Sequence, residues 1–197
     1  MRWLVLLAAL AAGAAHAQAP LERTYKLIEI FKADRAAPEG GKLSTADAAA
    51  NAKTVAALDG FFDFETFTAA CLGPSAVRLS GAQQKEFKER LVDLLRKRGY
   101  PNGGSVFREG VLSFAKPVEE GGRTRVPLTI SFPKQDLTMD VAFVWGKSGR
   151  VVDLMLDGDS LVKDYSNQVS RIVAKGGPEE LLRRLAEKQR QAAQDVP

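Results

Sequence analysis

Histidine and cysteine are nearly absent from this sequence, and their scarcity excludes several kinds of chemistry. The 197 residues include one histidine, His16, and one cysteine, Cys71. His16 lies in a leader that we expect to be removed, so the mature chain has no histidine for a Ser-His-Asp or Cys-His nucleophile system or for a zinc site. A lone cysteine forms no disulfide within the chain, and its apolar neighbours predict that Cys71 is buried as a small apolar residue.

Long apolar runs are also missing, apart from one at the N-terminus that is too short to span a membrane. A basic residue precedes an apolar run over residues 3–12, and residues 15–17 (Ala-His-Ala) have the small-x-small pattern of a cleavage site. The run has about ten residues, half of the roughly 20 that a spanning helix needs. We therefore predict a cleavable signal peptide over residues 1–17 and a soluble, exported protein that begins at Gln18.

The sequence has no glycine-rich phosphate-binding loop and only a small excess of charge. Without Arg2, which lies in the leader, 27 basic residues remain against 24 acidic ones, a net charge of +3. For an exported protein, anionic lipid headgroups suit this charge better than nucleic acid does. The remaining 180 residues, 18–197, are enough for a single domain with a sizeable core and no disulfides.

Six stretches of the mature chain place apolar residues at helical spacing. Four of them precede about residue 106 and two follow about residue 156. Most begin at a capping residue or a proline: near Leu21, at Ser44 or Thr45, at Asp63, at Ser80, at Ser160 and at Gly177-Pro178. We predict that the fourth helix ends at Gly99 and that the last one frays from about Gln189.

Between these two groups of helices, apolar and polar residues alternate, which predicts an antiparallel sheet of about four strands. A four-residue turn at 133–136 pairs Leu128 with Val141, and a second turn at 146–149 pairs Val141 with Leu154. Both hairpins place large apolar residues on one face, since a slip of one residue would mix the two faces.

The sheet is expected to run from about Val106 to Leu156. Its first strand brings Leu112 and Phe114 onto the apolar face only if the turn near residues 120–122 contains a bulge, which we assume. The opposite face is expected to be wet and carries Arg125, Thr129, Ser131, Thr138, Asp140 and Asp153.

The apolar face of the sheet needs a cover, and the amphipathic helices on both sides of it in sequence can supply one. This arrangement predicts an α+β fold in which a curved antiparallel sheet is wrapped by N- and C-terminal helices. Periodicity does not decide whether the space between them is a filled core or a cavity. A filled core would suit a structural or adaptor protein, and a cavity would suit a carrier.

Two blocks of sequence resemble the signatures of the MlaC family of periplasmic phospholipid-binding proteins. The first is FDFETFTAACLG (Phe62 to Gly73), followed by a helix that opens at Ser80 with Gln83 and Gln84. The second is VVDLMLDGDSLVKDYSNQV (Val151 to Val169), a strand that runs into Gly, Ser-Leu-Val and a helix that begins at a tyrosine. The blocks keep the family's order and spacing, and the resemblance covers essentially all of the mature chain.

The resemblance implies a periplasmic protein that holds the acyl chains of a phospholipid in an apolar cavity, with no catalytic residue, no metal and no other cofactor. It also implies two partners, an outer-membrane lipoprotein complex and an inner-membrane ABC transporter complex, between which a monomeric carrier shuttles lipid. We expect the sheet to line the cavity with Val126, Leu128, Ile130, Met139, Val141, Phe143, Val152, Leu154 and Leu156, and the helices to close it with Phe67, Leu72, Leu161 and Tyr165.

The alternative from a different class is a cone-shaped α+β enzyme, an isomerase or dehydratase, with a pocket carboxylate near Tyr165 or Tyr100. This alternative is disfavoured because no histidine remains to pair with the acid and few polar residues fall on the apolar face.

The fourth helix carries basic residues, among them Lys85, Lys88 and Arg96, that suit steering toward an anionic membrane or a partner. Acidic residues alternate with them at the spacing of helical ion pairs. An ordinary solvated helix face is therefore the other interpretation of this helix.

Overall fold

The computed structural model describes residues 19–36 and 42–194, so the predicted signal peptide lies outside the described residues. Within these ranges the chain forms six α-helices, a 3-10 helix over Gly73–Arg78 and a sheet of six strands. The helices are α1 (19–32), α2 (Thr45–Asp59), α3 (Phe64–Leu72), α4 (Gly81–Leu94), α5 (Tyr100–Glu109) and α6 (Leu161–Gln194). The strands are β1 (Val111–Phe114), β2 (Val118–Glu120), β3 (Arg123–Phe132), β4 (Leu137–Trp145), β5 (Val151–Leu156) and β6 (Asp159–Ser160). This order confirms the predicted α+β fold.

The sheet is antiparallel, with strand order β1-β3-β4-β5-β6 and with β2 paired to the same long strand, β3, as β1. The prediction of about four strands missed the two shortest ones, β2 and β6. A tight turn at Asp157 and Gly158, both at positive φ, returns the chain from β5 to β6. This turn delivers the chain directly into α6.

The pairing of β3 with β4 is as predicted. Val126 lies opposite Phe143 and Leu128 opposite Val141, with Ile130 following on the same face. These five side chains are at most 5 % exposed. The central part of the apolar face of the sheet is therefore covered by helices.

The predicted register between β4 and β5 is wrong by two residues, since Val141 pairs with Leu156 rather than with Leu154. One residue of the shift comes from a longer turn and one from a bulge, in which Val152 is the extra residue of β5. An even shift keeps Leu154 and Leu156 on their predicted face. Val152 is the exception, because its side chain packs against Gly146.

In the first hairpin, Leu112 and Phe114 join the apolar face as expected, opposite residues of β3. The bulge, however, is not in the turn: Gly121 and Gly122 form a tight two-residue turn with φ values of 58° and 74°. The register instead changes by one residue between β1 and β2. Pro117 lies in that interval, where a residue without an amide N–H interrupts the ladder least.

The prediction that the fourth helix ends at Gly99 is wrong. A π-helical turn over Leu95–Gly99 joins α4 to α5, so the helical path continues and the sheet begins only at Val111. Pro101 explains the widened turn, because its ring crowds the preceding turn and it has no N–H to donate. Accordingly, Tyr100 donates its backbone N–H to the carbonyl of Leu95, five residues back.

The last helix bends at Gly177, where φ is 77°, so the predicted start at Gly177-Pro178 takes the form of a kink within α6. The predicted fraying from about Gln189 stays a prediction, and in the structure α6 continues to Gln194. Gln189 accepts a hydrogen bond from Arg90 at 2.8 Å and donates one to Asp93 at 2.6 Å. These contacts hold the end of α6 against α4.

Asp153 was expected on the wet face of the sheet, and this expectation is also wrong. Only 9 % of the residue is exposed, and its carboxylate accepts hydrogen bonds from the Val162 backbone N–H at 3.0 Å and the Ser160 hydroxyl at 2.6 Å. Asp153 thus satisfies donors in the first turn of α6 and attaches that helix to β5.

Two apolar clusters form the interior. The sheet cluster lies between the sheet and α1, α2 and α5, and its buried members are Leu27, Ile28, Phe31, Leu58, Tyr100, Phe107, Val126, Leu128, Ile130, Phe132, Val141, Phe143, Trp145 and Val151. The helical cluster lies among α3, α4 and α6, and its buried members are Phe67, Cys71, Leu72, Leu79, Phe87, Leu91, Val169, Val173, Leu181, Leu182 and Leu185. We call the boundary between the two clusters, where α6 and α3 contact β5, the seam.

Candidate binding site

A crevice of about 480 Å³ opens between α4, the π-helical turn and α6. The apolar stripes of α4 and α6 meet fully near Phe87 and Leu91, which are buried, but Leu94 and Ile172 remain only half-buried. The floor is made by Phe87, Leu91, Leu94, Leu95, Tyr165, Val169, Ile172, Leu181 and Leu185. Its volume falls in the range of about 300 to 1,000 Å³ that is usual for small-molecule sites.

The rim of this crevice is basic. Arg98, Arg184 and Lys188 line it together with the polar side chains of Asn102 and Gln168. Among the described residues that line the crevice, none is acidic. An apolar floor below a basic rim fits a ligand that has an apolar body and an anionic end.

The position of Arg184 at the rim is fixed by Glu180, one turn earlier on α6. The Glu180 carboxylate accepts hydrogen bonds from Arg183 and, at 2.7 Å, from Arg184. These bonds lower the pKa of the Glu180 carboxyl to about 2. The carboxylate is therefore charged at every physiological pH and orients the Arg184 side chain.

Tyr165 connects the crevice with the rest of the helical cluster. Its ring lines the floor and meets Phe67 edge to face, with the centroids 6.4 Å apart. Burial raises the pKa of the Tyr165 hydroxyl, so the side chain is neutral. Tyr165 therefore offers an apolar ring to a ligand without introducing a charge.

The thirteen residues expected to line a cavity fall into two groups that the structure does not bring into one cluster. Eight belong to the sheet side: Val126, Leu128, Ile130, Val141 and Phe143 are buried in the sheet cluster, Met139 and Leu154 pack at its margin, and Leu156 is 39 % exposed. Val152 packs against Gly146. Phe67, Leu72, Leu161 and Tyr165 belong to the helical cluster, and of the thirteen only Tyr165 lines the crevice.

The other floor residues were recognised from sequence only as the apolar stripes of two helices. Leu94 and Leu95, for example, fall on the apolar stripe of the fourth helix, but a stripe does not reveal which helix it faces. The sequence nevertheless contained an indication of the crevice. The adjacent residues Leu94 and Leu95 make the apolar stripe wider than one packing partner covers.

Tyr100, the second tyrosine considered for an enzyme, has a structural role. It is 4 % exposed, and its hydroxyl donates a hydrogen bond to Asp59 at 3.0 Å. Asp59 also pairs with Arg96 at 2.8 Å. Burial raises the pKa of Tyr100, and the group ties α2 to the π-helical turn.

The basic residues singled out on the fourth helix are all paired with acids. Lys85 pairs with Glu89 along the helix, and Lys88 pairs with Glu65 of α3. With Arg96 bound to Asp59, this surface carries little uncompensated charge. The structure favours the interpretation as a solvated helix face.

Cys71 is buried, as predicted, with no exposed surface. Burial, with a smaller contribution from Asp153, raises the pKa of its thiol to about 12. We expect the native protein to resist a thiol-reactive disulfide reagent at pH 8, because the thiolate is the reactive form. One thiol should react after denaturation, and rapid labelling of the native protein would show that the helical cluster opens readily.

The part of the chain that the structure describes contains no helix that is both long and apolar enough to cross a membrane. Over the same residues, no three acidic, cysteine or histidine side chains are grouped so that they could hold a metal ion.

The fold and the crevice together define a small α+β protein with an apolar crevice between helices and basic residues at its rim. The family model described as "MlaC protein" matches residues 8–187, so the chain belongs to the MlaC family. Among curated protein sequences, none matches this chain.

A solved structure with the same fold is that of the phospholipid-binding protein from Ralstonia solanacearum, determined in complex with a phospholipid. The two structures match with a TM-score of 0.66 and 18 % sequence identity. The match covers 90 % of this chain and 98 % of the Ralstonia chain. The likeness therefore extends over the whole fold.

Proposed function

We propose that this protein is a periplasmic phospholipid carrier that holds the acyl chains of a lipid in apolar space and moves the lipid between the two membranes. The observation that carries the proposal is the crevice, whose apolar floor and basic rim match the two ends of a phospholipid. Membership of the MlaC family supports it, as does the phospholipid complex of the Ralstonia protein with the same fold. The proposal involves binding and transport and no reaction.

The acyl chains enter at the crevice and extend past Tyr165 into the seam between the two clusters. Half-buried apolar residues stand on both sides of that seam, with Leu161 on α6 and Leu154 and Met139 on the sheet. Helix α6 and strand β5 are in contact there, so separating them lengthens the site. The sheet-face residues behind them, Leu128 and Val141 among them, become lining residues as the seam widens.

The apolar contribution to binding is large enough to determine how the lipid leaves. Each methylene removed from water contributes about 0.8 kcal/mol, so two chains of about 15 carbons supply on the order of 20 kcal/mol before ordering costs. Escape through water is correspondingly slow. Transfer therefore requires contact with a membrane or with a docking partner, which we propose to be an inner-membrane ABC transporter complex and an outer-membrane lipoprotein complex.

The direct test is to purify the full-length protein, extract it with organic solvent and identify the extract by mass spectrometry. We expect a two-tailed phospholipid in near-stoichiometric amount, because a lipid held this tightly survives purification. An adaptor protein with a filled core would yield no lipid. An enzyme with a small polar substrate would yield no two-tailed lipid.

A labelled-lipid assay tests the argument about release. With a fluorescent phospholipid bound, the isolated protein should keep its lipid for hours in buffer and lose it faster when acceptor vesicles are added. Fast loss into buffer without an acceptor would contradict deep burial of the acyl chains.

A further inference from the structure

We propose that the last part of α6, residues 178–194, is a lid over the crevice that turns about Gly177 and is latched to α4 by Gln189. We call these residues the distal segment. The inference rests on the proposed function, because a lid matters only if acyl chains enter beneath it. The crevice lies between α4, the earlier part of α6 and the distal segment, so moving that segment away from α4 widens its mouth.

The crevice in its present form is too small for a phospholipid. A methylene group is about as large as a water molecule, which occupies about 30 Å³, so two chains of about 15 carbons need on the order of 900 Å³. The crevice provides about 480 Å³. One of its walls must therefore move before both chains can enter.

The backbone at Gly177 suits a hinge. Its φ of 77° and ψ of −179° lie in a region that is essentially open to glycine alone. Gly176 precedes it, and Pro178, which has no amide N–H to continue the helical hydrogen bonds, follows it. A few such residues within or at the end of a helix are enough to absorb the change of φ and ψ in a hinge motion.

Before the hinge, α6 is attached to the rest of the protein. Asp153 of β5 accepts a hydrogen bond from the backbone N–H of Val162, in the first turn of α6. Further along, the hydroxyls of Ser170 and Ser75 lie 3.3 Å apart, and Val173 is buried in the helical cluster. This part of α6 is the fixed side of the hinge.

Beyond the hinge, the distal segment can move as one body. Its ion pairs join Glu180 to Arg183 and Arg184, and Arg183 to Glu187. All of these partners lie within the segment, so none of the pairs breaks when the segment leaves α4. They stabilise its helix in the open position as well as in the closed one.

Three hydrogen bonds fasten the distal segment to α4. Gln189 accepts one from Arg90 at 2.8 Å and donates one to Asp93 at 2.6 Å, while Glu179 accepts one from Gln83 at 3.0 Å. Opening exchanges these bonds for bonds with water, which changes the free energy only modestly. The buried leucines of the segment also lose contacts, but entering acyl chains replace them, so bound lipid favours the open position.

The latch is tested by Gln189→Ala. Protein freed of lipid is mixed with vesicles that contain a fluorescent phospholipid, and the rate of lipid uptake is measured. The variant should take up lipid about fivefold faster, on the scale of the hydrogen bonds that it removes. Gln191→Ala removes the same side chain from an exposed position two residues further on and should keep the parent rate. An unchanged rate in Gln189→Ala, or equal acceleration in both variants, would overturn the inference.

A cross-link tests the lid itself. In a Cys71→Ala background, Asp93→Cys/Gln189→Cys joined by a short bismaleimide should take up lipid at least about tenfold more slowly than the parent, because the segment can no longer leave α4. The same protein before cross-linking has no latch and should be faster than the parent, so it serves as its own control for folding. Lys85→Cys/Glu89→Cys receives the same cross-link between exposed positions of α4 and should keep the parent rate.

A disulfide placed before the hinge locates the moving part. Ser75→Cys/Ser170→Cys ties down the fixed side of α6, so uptake should not change. Equal slowing by this disulfide and by the cross-link at Gln189 would overturn a hinge at Gly177. Uptake at the parent rate by the protein cross-linked at Gln189 would overturn the lid but leave the carrier proposal standing, because lipid still enters. A parent protein that takes up no lipid overturns the carrier proposal itself.

Discussion

Leu128→Asp and Val141→Asp are expected to leave the protein unfolded and without lipid. The two side chains face each other across β3 and β4 in the sheet cluster and are 2 % and 5 % exposed. A carboxylate at either position loses its water without gaining a partner, which costs several kcal/mol. A domain of this size has a total stability of about 5 to 15 kcal/mol. Circular dichroism and size-exclusion chromatography should therefore report loss of the native fold.

The matched control is Thr138→Asp, which introduces the same charge on the exposed face of β4. Its free energy of unfolding should stay within about 0.5 kcal/mol of the parent value. If Leu128→Asp instead remained folded and copurified with the usual amount of lipid, the assignment of the apolar face would be wrong.

Charge in the floor of the crevice should have a different effect, namely a folded protein that has lost its lipid. Leu94 and Ile172 are half-buried and line the crevice, so Leu94→Glu or Ile172→Glu can keep the carboxylate hydrated while the crevice is empty. An acyl chain that enters would strip that water away. We expect the lipid that copurifies to fall at least about tenfold, which requires a loss of only about 1.4 kcal/mol.

Val77→Glu serves as the control for both crevice variants, because Val77 is 90 % exposed and lies outside the crevice. It should leave both the melting temperature and the lipid content unchanged. Full lipid content in Leu94→Glu and Ile172→Glu would show that the acyl chains lie elsewhere, and the sheet side of the seam would then be the place to search.

The sequence predicted the class of fold and one complete hairpin, and the reason lies in how registers are fixed. The turn between β3 and β4 is short and the alternation around it is unbroken, so one register satisfies every pair from Val126 with Phe143 onward. The next hairpin contains a bulge at Val152. The first three residues of β5 are all buried, so the alternation of apolar residues does not reveal that one residue has been inserted there. The π-helical turn at Leu95–Gly99 was missed because glycine before proline normally ends a helix.

The candidate site was less predictable, since it depends on which helices meet. Arg98 is separated from Arg184 and Lys188 in sequence by the whole sheet, yet the three share one rim. The basic residues that stand close together in sequence are paired with acids, Lys85 with Glu89 of the same helix and Lys88 with Glu65 of α3. Charge density along the chain therefore does not show which cations lie at the crevice, because that depends on how α6 packs against α4.

The division of the interior into two clusters also sets an order in which the chain can acquire structure. Every buried member of the sheet cluster lies at or before Val151, whereas the helical cluster joins residues near Phe67 to residues near Leu185. The sheet cluster also joins distant residues, from Leu27 to Val151, so the entropy of loop closure does not separate the two clusters; the order in which their residues become available does. A chain that emerges N-terminus first can thus complete its sheet cluster before α6 appears, and the crevice between α4 and α6 is then the last part of the molecule to be assembled.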